Sequence, residues 1–103
     1  MSQDTDNLLL DHILRKRDTL EDSSTDIRDM DVLSVEYEVT QDMQVTEVVL
    51  TLSYGGPTIY LDCISGRLRG YWSSEQITRG VRSEDIKQYG SELASRFEDR
   101  IQS

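Results

Sequence analysis

The chain contains one histidine and one cysteine, the side chains that most often act as base and nucleophile near neutral pH. His12 lies beside Asp11 in a stretch with helical spacing, and Cys63 falls where a strand pattern points inward. Nucleophilic hydrolysis needs a nucleophile, a base and an orienting group that converge, and no such set is evident. We therefore expect a buried structural Cys63, a surface His12 and no enzymatic activity. A small enzyme or ligand-binding module built around Cys63 is the alternative.

Other residues that could bind a metal or a phosphate also lack the required spacing. Asp26, Asp29 and Asp31 are close together but lack the glycine of a calcium loop. Gly55 and Gly56 precede Pro57 with no lysine and open no helix, so they do not form a phosphate loop. A single cysteine excludes an internal disulfide and a multi-cysteine metal site, and it suits a reducing compartment. We predict no metal and no cofactor.

Charge is the most informative property of the sequence, with a formal net charge of −9. Residues 1–31 carry nine acids and four bases, residues 32–66 five acids and no base, and residues 67–103 six acids and seven bases. Twelve of the twenty acids are Asp, and lysine occurs twice against nine arginines, which resembles halophilic archaeal proteins. Two interpretations remain: adaptation to a salty cytoplasm, or an acidic surface that imitates nucleic acid in the basic groove of a partner.

The hydrophobic spacing predicts a helix at each end of the chain and strands between them. The predicted helices cover 6–20 and 83–101, and the predicted strands cover 32–39, 45–53, 58–64 and 67–72. Ser65 and Gly66 should form a tight two-residue connection, and residues 73–82 a polar connection. The expected fold is α+β: a four-stranded antiparallel meander with an N-terminal and a C-terminal helix on one face (α-β-β-β-β-α). Residues 1–103 form a single domain, with 1–5 and 21–31 flexible.

The same alternation defines a candidate interaction surface. If Leu68 and Trp72 point inward, their neighbours on that strand point outward. The candidate interaction residues are Arg67, Arg69, Tyr71, Tyr60, Glu36 and Glu38 on the outer face, with Tyr54 in the adjoining turn. Arginine and tyrosine dominate many protein interfaces, because they combine contact area with directional donors. The alternative is an ordinary solvated face with cross-strand charge neutralisation.

A short segment resembles small proteins of phages and other mobile elements. It runs from Leu50 to Leu61 through Ser53-Tyr54-Gly55-Gly56-Pro57 and is followed by Gly70-Tyr71-Trp72, about a quarter of the chain. In the similar proteins a strand that ends in a Ser-x-Gly-Gly-Pro turn precedes another strand and an aromatic segment. The resemblance implies a protein that binds a host machine, and some anti-CRISPR proteins are acidic and block nucleic-acid-binding surfaces.

These observations favour a non-enzymatic interaction module whose partner is another protein. A homodimer through the same face is a sub-case, because acidic and basic edges could pair. The net charge of −9 and the lack of an aromatic, glycine-rich strand motif argue against direct nucleic-acid binding. No segment approaches the ~20 apolar residues of a membrane helix, so we expect no membrane association and a cytoplasmic protein. A housekeeping halophilic domain without a partner surface is a further alternative.

Overall fold

The computed structural model describes the backbone of residues 2–102 and the side chains of residues 8–102. The described elements are helix α1 (Ser2–Glu21), a 3-10 helix (Ile27–Asp29), strands β1 (Ser34–Val39), β2 (Val45–Ser53), β3 (Thr58–Asp62), β4 (Arg67–Trp72) and β5 (Glu75–Gly80), and helix α2 (Glu84–Gln102). The strands form one antiparallel sheet in the order β1-β2-β3-β4-β5. The α+β class is confirmed. The side chains of residues 1–5, for which flexibility is expected, lie outside the described residues.

Both helices pack on the same face of the sheet. The apolar core joins Leu9 and Ile13 of α1 and Ile86 of α2 to the inward side chains of β2, β3 and β4. Gly70 of β4 allows α1 to approach closely, since a Cβ there would lie 2.5 Å from the Ile13 Cδ1 atom. The predicted cap of α2 is confirmed, because the Ile86 N–H donates to the Ser83 hydroxyl at 3.2 Å.

The prediction of four strands is wrong, because residues 75–80 form a fifth strand. β5 pairs with β4 along its whole length, from Trp72 opposite Glu75 to Arg67 opposite Gly80. Its sequence is polar apart from Ile77, as suits an edge strand that is only partly covered. The turn also lacks the usual signal: Ser73 takes the positive φ of 57° that glycine or asparagine more often adopts.

The predicted two-residue connection between β3 and β4 is also wrong. β3 ends at Asp62, and Cys63 to Gly66 form a four-residue turn. The Gly66 N–H donates to the Asp62 carbonyl at 2.9 Å, and Gly66 has the positive φ of 74° that the turn requires. Cys63 is nevertheless fully buried, as expected.

Residues 21–31 connect α1 to the sheet and contribute to the core. Ile27 is 2% exposed, and Arg28 forms an ion pair with Glu92 of α2 at 2.8 Å. None of the described helices combines the length and the apolar character that a membrane span requires.

Candidate functional site

The sheet face opposite the helices carries the predicted interaction residues. We call the outward side chains of β1 to β4 around Val49 the open face: Glu36, Glu38, Val49, Tyr60, Asp62, Arg67, Arg69 and Tyr71. The register places Glu36 beside Val49, Val49 beside Asp62, and Asp62 beside Arg67, while Tyr60 lies beside Arg69. The six strand residues that alternation predicts to point outward therefore lie on one face of the sheet.

Asp62 is the electrostatic centre of the open face. Its carboxylate is 2% exposed and accepts hydrogen bonds from the Arg69 Nε at 2.8 Å and the Arg69 Nη2 at 2.9 Å. A second guanidinium, that of Arg67, lies 3.5 Å away. Hydrogen bonding to Asp62 is the main cause that raises the pKa of Arg69, and burial opposes it. This bidentate pair fixes the Arg69 side chain in one orientation.

Two tyrosines complete the cluster around Arg69. The Arg69 guanidinium lies over the Tyr60 ring, 5.1 Å from its centroid, and its Nη1 donates to the Tyr71 hydroxyl at 3.2 Å. The two rings meet edge to face with centroids 5.8 Å apart. From β5, the Gln76 amide donates to the same hydroxyl at 3.4 Å. Each member of the cluster therefore contacts at least one other member, which restricts the conformations of these side chains.

A shallow depression of about 430 Å³ lies between this cluster and β1. Glu36 and Glu38 border it on one side, and Tyr60, Arg69 and Tyr71 border it on the other. Val49 also lines the depression and is only 8% exposed, although both described helices pack on the opposite face. The two glutamates are exposed, and their carboxylates have no ion-pair or hydrogen-bond partner among the described residues.

The charge of the open face differs from the expected gradient. In the predicted four-stranded sheet β1 is an acidic edge and β4 a basic edge. In the structure β5 pairs with β4, and both arginines of β4 are paired with Asp62. Their positive charge is partly compensated, whereas Glu36 and Glu38 remain uncompensated. The depression therefore carries a surplus of negative charge on its β1 side.

Tyr54 is the one predicted interaction residue that lies outside the open face. It is 75% exposed in the turn between β2 and β3 and does not line the depression. The turn is closed by the Ser53 hydroxyl, which donates to the Pro57 carbonyl at 2.9 Å, and Gly55 has a φ of 95°. Tyr54 is thus a separate exposed aromatic group.

Glu47 has a role that strand alternation did not indicate. Its carboxylate, 7% exposed, accepts hydrogen bonds from the backbone N–H groups of Ile64 at 2.7 Å, Ser65 at 3.1 Å and Val48 at 3.0 Å. Burial tends to raise the pKa of Glu47, but hydrogen bonds from the Ser65 side chain and these N–H groups outweigh it, and the pKa is lowered. The only sequence signal is a lone acid in a strand whose other residues are apolar, threonine or serine.

Cys63 and His12, the two side chains most suited to catalysis, have different neighbours. Cys63 packs against Gly90 of α2, and burial, followed by the nearby charges of Glu47 and Asp62, raises the pKa of its thiol to about 12. His12 is exposed on α1 and meets the Trp72 ring edge-on, with centroids 6.0 Å apart. Within the described side chains, no group of three or more His, Cys, Asp or Glu residues could hold a metal ion.

Comparison of the chain with protein-family models, with curated proteins and with solved structures finds no match.

Proposed function

We propose that this protein is a non-enzymatic module that binds another protein through the open face. The observation that carries the proposal is the interlocked cluster of Tyr60, Arg69 and Tyr71 on a sheet face that the described helices leave uncovered. Large aromatic and guanidinium groups fixed before binding lose little conformational entropy when a partner docks.

The chemistry of the remaining groups supports binding over catalysis. A thiolate is the reactive form of cysteine, and burial raises the pKa of the Cys63 thiol to about 12, so this fully buried side chain is protonated at neutral pH. Nucleic acid is a poorer occupant than protein, because Glu36 and Glu38 would repel phosphate from the depression. A homodimer through complementary edges is also less favoured, since Asp62 already engages the arginines that a second copy's glutamates would need.

The resemblance of the Ser53–Pro57 segment to phage and mobile-element proteins suggests which partner to seek. Under this proposal the partner is a host protein with a basic surface, and the acidic chain occupies a groove that otherwise binds nucleic acid. The net charge of −9 would then speed association with such a groove.

The proposal is tested by using the purified protein to capture proteins from a lysate of the cells in which it is naturally made, and by identifying them with mass spectrometry. The test variant is Tyr71→Ala, and the control is Tyr54→Ala, which removes an equally large ring from the separate turn. Arg69 is unsuitable for this test, since its loss would leave the buried Asp62 without its main partner. We expect an identified protein, confirmed by titration of the purified pair, whose capture is lost with Tyr71→Ala and retained with Tyr54→Ala. Capture that is the same for both variants and the wild type would refute binding through the open face.

A further inference from the structure

The depression on the open face has two unlike walls. On the β1 side, the exposed carboxylates of Glu36 and Glu38 project from alternate positions of an edge strand. On the other side stand the rings of Tyr60 and Tyr71, and Val49 lines the depression between the walls at 8% exposure. Carboxylates and aromatic rings both attract cations, the first by charge and the second through the negative face of the ring.

The Arg69 guanidinium already lies at this site, and its interactions show which groups remain available to a second cation. Arg69 lies over the Tyr60 ring, but its charge is matched by the buried carboxylate of Asp62, with which it makes two hydrogen bonds. Of the charged groups that line the depression, Glu36 and Glu38 are therefore left without a counter-charge. A ligand that brings positive charge on a long, partly apolar stem would satisfy both walls.

We infer that the depression receives an arginine or lysine side chain from a basic segment of the partner protein, with its charged head at Glu36 and Glu38 and its stem against Val49 and the tyrosine rings. This inference deepens the proposed function and depends on it. It commits the open face to a basic polypeptide, because neither a nucleic acid nor an acidic peptide would neutralise the two glutamates.

The inference is tested with a synthetic peptide in which arginines are spaced by glycine and serine, titrated into the labelled protein while backbone amide resonances are recorded. The same peptide with citrulline in place of arginine keeps the shape and removes the charge. We expect the arginine peptide, and not the citrulline peptide, to shift the amides of Val49, Tyr60 and Tyr71. Shifts spread evenly over the acidic surface would overturn the assignment of the site.

Paired substitutions separate the depression from the general acidity of the chain. The double variant Glu36→Gln, Glu38→Gln should bind the arginine peptide about five- to tenfold more weakly than the wild type, as expected for the loss of two solvent-exposed charge pairs. Asp18→Asn with Asp99→Asn removes the same charge from exposed positions on the two helices and should leave the affinity within about twofold. An equal loss of affinity in both double variants would overturn the inference. So would shifts of the Val49, Tyr60 and Tyr71 amides when oligothymidylate is added or when the protein self-associates at high concentration.

The outcomes for the two proposals can be distinguished. A captured protein that needs Tyr71 but binds the Glu36→Gln, Glu38→Gln variant normally would leave the proposed function in place and remove the basic-segment inference. Capture that does not need Tyr71 would remove both.

Discussion

Asp62 and Arg69 form a diagonal bidentate pair across β3 and β4, with both carboxylate oxygens engaged at 2.8 and 2.9 Å and the aspartate only 2% exposed. Arg67, the direct register partner of Asp62, makes only one longer contact at 3.5 Å. The two arginines therefore differ in role although they are two residues apart on one strand. One stabilises a buried charge, and the other is 55% exposed beside it.

Replacing Arg69 should destabilise the fold, and replacing Arg67 should not. Arg69→Gln leaves a buried carboxylate without its two charge-assisted hydrogen bonds, which should lower the free energy of unfolding by about 2–3 kcal/mol. Arg67→Gln removes a mostly exposed contact and should cost less than about 1 kcal/mol. Urea denaturation of the two variants measures the difference, and equal losses would contradict the central role given to the diagonal pair.

Glu47 should make the fold sensitive to acid. The pKa of Glu47 is lowered in the folded protein, so its stabilising effect is present above the unfolded pKa of about 4.3 and is lost as pH falls through the folded pKa. Glu47→Gln should lower the free energy of unfolding by about 1–3 kcal/mol at pH 7, since its amide offers a donor where the backbone N–H groups need an acceptor. The difference in free energy of unfolding between the wild type and Glu47→Gln should become smaller as the pH falls below about 4.

The matched control for Glu47 is its register partner. Glu38 lies opposite Glu47 on β1 but is exposed, and its carboxylate has no partner among the described side chains. Glu38→Gln should change the free energy of unfolding by less than about 0.5 kcal/mol at any pH between 3 and 7. If the difference in free energy of unfolding between the wild type and Glu47→Gln stays constant over this range, the charge of the Glu47 carboxylate does not stabilise the turn.

Sequence reasoning succeeded where a local pattern decides the structure. Period-two alternation placed Tyr60, Arg69 and Tyr71 on one face, because side chains of a strand alternate whatever they contact. It failed where a distant contact decides. β5 has one apolar residue and forms a strand because it pairs with β4 along its whole length. The pairing of Arg69 with Asp62 is a diagonal contact that depends on the register of β3 and β4.

The close approach of α1 to β4 provides a packing test. A Cβ at position 70 would lie 2.5 Å from the Ile13 Cδ1 atom and 3.1 Å from the Leu9 Cδ1 atom, in a fully buried region. Gly70→Ala should therefore cost about 1–3 kcal/mol through overpacking. Ile13→Val removes the nearest atom and alone costs about 0.5–1.5 kcal/mol. The double variant should be more stable than the sum of the single effects implies, as measured by a double-mutant cycle; strict additivity would place the strain elsewhere.

Cys63 should be protected from thiol reagents in the folded protein. Its side chain is fully buried, and burial is the first cause that raises its pKa to about 12. Labelling by an aromatic disulfide at pH 8 should follow the rate of unfolding and become immediate in denaturant. Rapid labelling of the native protein would instead revive the alternative of a reactive thiol in a small enzyme or ligand-binding module.

The salt dependence of thermal stability distinguishes a partner-binding role for the acidity from salt adaptation. If the acidic residues serve a partner, added KCl should raise the melting temperature only while it screens repulsion within the chain of net charge −9. Screening shortens the range of such forces to about 8 Å at 0.15 M and about 3 Å at 1 M, so the rise should level off well below molar salt. The Asp18→Asn, Asp99→Asn variant, with less repulsion to screen, should show a smaller rise. A melting temperature that climbs steadily into molar KCl would mean that hydrated carboxylates stabilise the fold itself, and the housekeeping halophilic interpretation would then replace the proposed one.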